Sequence, residues 1–139
     1  MDGLSSAASV IAVIQLTGTV VKICGGYIQE VKDARDDIIS LQRTVADLEV
    51  ILQKLRELLQ DPRGIKLFTS SLVNNISDCL ACLVAVEKRI DLGRRKRMMK
   101  RLGIRALRWP FKRSEVDRII TNLERYKSFF TLSLQVDQT

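Results

Sequence analysis

Apolar residues recur along most of this chain at intervals of three and four, the spacing of one face of an α-helix. The clearest run is Ile38, Leu41, Val45, Leu48, Leu52, Leu55 and Leu59, which predicts a long helix from about Gln29 to Gln60. Glu30, Asp33, Asp36 and Asp37 fall in its first turns, where carboxylates oppose the positive end of the helix dipole. Asp61-Pro62 and Gly64 end it. A further helix is predicted from Ser70 or Ser71. Leu72, Ile76, Leu80, Leu83, Val86 or Glu87, and Ile90 trace its inner edge, and Gly93 closes or bends it. The last helix is predicted from Ser114, with Asp117 three residues on as an approximate capping box. Val116, Ile119, Ile120, Leu123, Tyr126 or Lys127, and Phe130 mark its buried face.

The amino-terminal segment departs from this pattern. From Gly3 to Val21 run 19 residues without a charge. On a helix capped by Ser5 or Ser6 and stopped at Gly25-Gly26, apolar side chains fall on every side. Ser9, Gln15, Thr17 and Thr19 are scattered and form no polar stripe. A helix apolar all round belongs in a core or in lipid. At about 1.5 Å per residue the uncharged stretch spans ~28 Å, just short of a hydrocarbon layer of roughly 30 Å. It is marginal as a spanning helix and comfortable as a core helix, so one segment suits both settings. Ser5, Ala8, Ser9 and Ala12 stand at spacings that let helices pack closely in lipid. The residues that would enter a membrane are Leu4, Val10, Ile11, Val13, Ile14, Leu16, Val20 and Val21.

Composition supports one all-α domain over residues 1–139, a bundle of four to five helices with a hydrophobic amino-terminal helix. Apolar residues make up 46% of the chain, aromatics only 5%, and there are 7 Gly and 2 Pro, too few for many tight turns. The net charge of +7 is unevenly placed. Arg94 to Arg113 holds ten Lys or Arg and no acid, and removing those ten leaves the remainder at −3. On a helical wheel Met98, Leu102 and Trp109 lie within about 40° of one another. Met99 and Ala106 lie beside them, and most basic residues lie opposite, although Arg95 breaks the division. Gly103 weakens such a helix and Pro110 limits it.

Three readings of this segment stand open: a solvated charged face, a nucleic-acid or nuclear-import patch, and an element lying on an anionic membrane. The third is favoured, because an interfacial helix divides apolar from basic residues in this way. Its lipid contacts would be Arg94, Arg95, Lys96, Arg97, Lys100, Arg101, Arg105, Arg108 and Trp109. Nucleic acid is the least favoured partner, since only Trp109 and Phe111 offer stacking and no helix-turn-helix spacing is present.

Catalytic signals are scarce. The chain has no His, no glycine-rich phosphate loop, and no two carboxylates placed to share a pocket. Cys79-Leu80-Ala81-Cys82 lies in an apolar helical run rather than at a strand-to-helix turn, so its thiols are expected to act as small hydrophobes. Three cysteines without framework spacing suit a reducing, intracellular compartment. No secretory signal fits, because the α-amino group faces Asp2 in place of a basic region. No enzyme activity, cofactor, metal site or small-molecule substrate is expected.

The opening MDGLSSAASVIAVIQLTGTVVK resembles the start of the fungal HeLo-like domains found at the front of STAND, or NOD-like receptor, proteins. LRWPFKRSEVDRIITNLERYKSFFTLSLQVD resembles that family's carboxyl-terminal stretch, a W-P-F element, a helix and L-x-L-x-x-D. The resemblance covers nearly the whole chain and is most specific at its two ends. The family is related to the HeLo domain of HET-S and to the four-helix bundle of MLKL. It implies a cytoplasmic cell-death domain that self-associates into oligomers and moves to the plasma membrane on activation. A nucleotide-binding oligomerisation module downstream would cluster it, and the segment from Gly3 to about Ile23 would then breach the bilayer. Some relatives act instead as adaptors without lytic activity, which is the alternative here.

Overall fold

The stripe on the second helix predicted from sequence is the axis of the fold. In a computed structural model, which describes residues 2–60, 70–99 and 108–137 (side chains at 8–60, 70–93 and 108–135), that stripe is buried along its whole length. The described residues form four helices and no strand: α1 (Asp2–Glu30), α2 (Arg35–Gln60), α3 (Ser70–Met99) and α4 (Arg113–Asp137). Ile38, Leu41, Val45, Leu48, Leu52 and Leu55 of α2 are wholly inaccessible to solvent. Leu72, Ile76, Cys79, Leu83, Val86 and Ile90 from α3, and Val116, Leu123 and Phe130 from α4, complete the core with the inner face of α1. Val86, not Glu87, takes the core position, and Cys79 displaces Leu80 to partial burial.

Helix α1 packs on α2 and α3, and α4 packs on α2 and, less closely, on α3. Each of the pairs α1/α4 and α2/α3 therefore occupies opposite corners. Asp37 approaches Arg113 at 3.9 Å and Asp47 approaches Lys127 at 4.0 Å, so α2 and α4 advance in the same direction. Tyr27, late in α1, meets Ile90, late in α3. Arg89 of α3 pairs with Glu115, in the first turn of α4. One end of the bundle, the junction end, thus gathers the close of α1, the start of α2, the last turns of α3 and the start of α4.

Several boundaries differ from the sequence expectation. Gly25-Gly26 does not stop α1, and neither glycine has a positive φ. Burial of Cys24, Tyr27 and Val31 on the same stripe carries the helix past them, against a propensity cost of about 1 kcal/mol per glycine. Gly25 lies beside Gln42, which donates from Nε2 to the Val21 carbonyl at 3.0 Å and ties α2 to α1. Residues 31–34 are not helical, so α2 begins at Arg35, Glu30 belongs to α1, and Asp36 and Asp37 are the acids of the first turn of α2. Helix α3 runs through Gly93 to Met99. Helix α1 is not wrapped on all sides either. Val10, Val13, Ile14, Thr17, Val20, Cys24 and Tyr27 face inward, while Ala8, Ile11, Gln15, Thr19, Lys22 and Gly26 face solvent.

Leu52→Ala should lower unfolding free energy by about 2–5 kcal/mol in denaturant titration, whereas Val50→Ala, two residues away and exposed, should change it by less than ~0.5 kcal/mol. Equal losses at the two positions would contradict the assigned register.

Candidate functional site

The junction end is held by aromatic rings and one arginine. Residues 108–112 are not helical, and Trp109-Pro110-Phe111 crosses between α3 and α4. The Trp109 ring meets Tyr27 edge to face at 5.1 Å and Phe111 at 5.3 Å, geometries that favour the ring quadrupoles. The Arg89 guanidinium lies 4.4 Å from the centre of the Phe111 ring and donates to the Pro110 carbonyl at 2.6 Å. It also pairs with the Glu115 carboxylate. Glu115 in turn accepts the Lys112 backbone N–H at 3.1 Å, which makes Lys112 the cap of α4 and Glu115 its partner three residues on. Ser114 and Asp117, expected as the capping pair, do not serve.

Tyr27 is wholly buried, and its hydroxyl donates to the Ile90 carbonyl at 2.6 Å. A Cβ at Gly93 would overlap that hydroxyl, so the close approach of α1 to α3 requires glycine there. The Trp109 indole nitrogen is buried and has no acceptor among the described residues. A buried donor left without a partner costs about 1–3 kcal/mol.

The Arg89 hydrogen bond, then the Lys112 N–H, hold the Glu115 carboxyl below the usual carboxylate range. Its folded pKa is lowered, so its contribution is present at neutral pH and is lost as pH falls through that lowered value. Burial pushes the Cys24 and Cys79 thiols up to about 12 and raises Cys82 as well. These shifts disfavour the thiolate, the nucleophilic form, and Cys24 and Cys79 pack as small apolar groups in the core. Among the described residues no group of three or more His, Cys, Asp or Glu could hold a metal ion.

Of the residues proposed to enter a membrane, Val10, Val13, Ile14 and Val20 are buried against the bundle, Leu16 and Val21 are partly buried, and Ile11 is 36% exposed. Leu4 lies outside the residues whose side chains are described. Ala8–Glu30 is long and apolar enough to cross a membrane by length and composition, a test that a core helix also passes. Of the proposed lipid contacts, Arg94, Arg95, Lys96 and Arg97 continue α3 one turn beyond the Gly93 contact, and Arg108 is exposed. Lys100, Arg101 and Arg105 lie outside the described residues. Trp109 is not on the basic helix expected from the wheel; it packs inward on Tyr27. Residues 30–37, 88–97 and 108–118, which form the junction end, hold twelve basic against seven acidic residues. Tyr27, Arg89 and Glu115 were not singled out from sequence, and Gly93 only as a residue that closes or bends its helix. Only the W-P-F run, and the tyrosine placed just after a glycine pair, hinted at them.

Fold and site together define a four-helix bundle whose apolar first helix is pinned at its carboxyl end beside a basic segment. The chain belongs to the family described as pigment biosynthesis cluster protein PigL N-terminal, whose model matches residues 1–137. Searches of curated proteins and of solved structures returned no match.

Gly93→Ala should destabilise the fold by about 1–3 kcal/mol through overpacking against Tyr27, and Tyr27→Phe by about 1 kcal/mol through the lost hydrogen bond. Combining the two should cost less than the sum of the single losses, because removing the Tyr27 hydroxyl leaves room for the alanine methyl. Full additivity in a double-mutant cycle would contradict the contact.

Proposed function

We propose that this domain is a non-catalytic, membrane-directed cell-death module of the fungal HeLo-like type, carried at the front of a receptor and activated by clustering. The observation that carries the reading is the placement of α1. It has the length and composition of a membrane span, keeps one face in solvent, and joins α2 through only the four residues 31–34. That short joint lies at the junction end, where basic residues outnumber acidic ones.

The parts fit one sequence of events. The junction end meets an anionic leaflet, where each basic residue near the surface contributes about 1 kcal/mol. Helix α1 then pivots on residues 31–34, exchanges its neighbours in the bundle for lipid tails, and carries its amino terminus into the bilayer. Several copies brought together by a downstream oligomerisation module would pack their small-residue positions against one another and breach the membrane. The resting domain is cytoplasmic in this account, and its partners are anionic lipids and further copies of itself.

The adaptor alternative keeps α1 in the bundle permanently and uses the domain for homotypic contacts. Its support is the quality of the inner α1 packing, with Val13, Val20, Cys24 and Tyr27 wholly buried.

Vesicles containing phosphatidylserine should bind the purified domain and leak encapsulated dye when it is artificially clustered, with binding reduced at high salt. Replacing Arg94, Arg95, Lys96 and Arg97 together by Ser should weaken vesicle binding by roughly a hundredfold to a thousandfold at about 1 kcal/mol per residue, with the helical circular dichroism retained. Clustered protein that neither binds nor permeabilises such vesicles would overturn the reading in favour of the adaptor.

A further inference from the structure

The junction end holds a feature that simple core packing does not require. The chain contains one tryptophan, and its indole N–H is buried without an acceptor among the described residues while its ring pins Tyr27 of α1. Basic residues flank it along the chain and gather at the same end of the bundle. Arg108 is exposed next to it, Lys112 and Arg113 are exposed just beyond Phe111, and Arg94–Arg97 follow Gly93, where an added Cβ would overlap the Tyr27 hydroxyl. A charged surface that attracts these residues is drawn to the end of the bundle where this ring packs on α1.

We propose that Trp109 is the latch of α1, and that an anionic membrane surface opens it by drawing the indole from Tyr27 into the lipid interface. This rests on the membrane reading above and adds the step that couples binding to release. An indole has an apolar body and one polar N–H, and the headgroup region offers both an apolar boundary and phosphate or carbonyl acceptors. In the closed bundle the ring is packed on Tyr27 and Phe111, and the N–H has no acceptor among the described residues. At the interface both are satisfied, so movement outward is favoured once the flanking cations have brought the surface close. Loss of the Trp109 ring removes one of the contacts that hold Tyr27, beside its hydrogen bond to Ile90 and its packing in the core. Residues 31–34 then serve as the hinge, since they are the nearest non-helical backbone to Tyr27 in the chain. The tether from Arg89 to Pro110, Phe111 and Glu115 keeps the start of α4 in place while the indole leaves. Opening is thereby confined to α1.

Trp109 and Cys24 provide two native probes. A Cys79→Ala, Cys82→Ala variant leaves Cys24, buried on α1, as its one thiol. This protein is mixed with vesicles of phosphatidylserine and phosphatidylcholine carrying brominated acyl chains, or of brominated phosphatidylcholine alone. Binding is read by co-sedimentation, the indole by bromine quenching of its fluorescence, and α1 by the rate of maleimide labelling at Cys24. On the anionic vesicles the expected result is at least twofold quenching and a labelling rate raised at least tenfold, with neither change on the neutral ones. Per bound molecule, Trp109→Phe, which keeps the stack and removes the unpartnered N–H, should label at least fivefold more slowly than its parent. Binding to anionic vesicles without quenching or faster labelling would overturn the latch and leave the membrane reading standing. Absence of binding would overturn both. Faster labelling with duplex DNA in place of vesicles would overturn the assignment of lipid as the opener.

Discussion

The whole structure depends on how much of α1 its neighbours can cover. Helix α1 is apolar around most of its circumference, yet it stands at a corner of the bundle, and of the described helices α2 and α3 are the ones it contacts closely. Val10, Val13, Ile14, Val20 and Tyr27 are taken out of water, while Ile11 remains 36% exposed and Leu16, Val21 and Ile28 are partly covered. Complete burial of a Val, Leu or Ile side chain stabilises by about 1.5–3 kcal/mol, so the covered face holds the helix firmly and the remainder is left available to another apolar phase. Membrane insertion would add coverage on the outer face and would lose the specific packing of the inner one. Under the proposed function, the balance between these two terms separates the executioner reading from the adaptor one.

The charge distribution and the topology give that balance a direction. Parallel placement of α1 beside α3 brings the close of α1 to the same end as Arg94–Arg97. An amino-terminal helix of 29 residues reaches about 43 Å, so its start lies at the far end of the bundle from the basic segment. In the proposed reading, a membrane drawn to the basic residues would meet residues 31–34 and not the start of α1. This arrangement favours a pivoting helix over one that slides out along its own axis.

Much of the fold was legible in the sequence, for physical reasons particular to each element. The spacing of Ile38 through Leu59 reported a helix whose burial is continuous, and each of those residues is in the core. The start of α3 at Ser70 was equally clear. The errors fell where tertiary contacts outweigh local preference. Gly25-Gly26 reads as a stop, but burial of Tyr27 on the same stripe keeps the helix intact. Gly93 reads as a closing residue, but it is there because Tyr27 comes too close for any side chain. Trp109 fell on the apolar side of an imagined helix, although its backbone is not helical and its ring joins the core. Arg89, Glu115 and Lys112 form their network between distant parts of the chain, and no periodicity reports such a pairing.

The central claim is that α1 leaves its place beside α2 when the domain meets an anionic bilayer. Thr19 and Arg43 are both exposed, one on each helix, and accept spin labels without disturbing the core. In a background with Cys24, Cys79 and Cys82 replaced by Ala, the distance between labels at 19 and 43 can be measured by pulsed electron resonance, in solution and on phosphatidylserine vesicles. The account predicts a lengthening of roughly 20 Å on the vesicles, about the reach from the hinge to residue 19 at 1.5 Å per residue. An unchanged distance in vesicle-bound, clustered protein would contradict it.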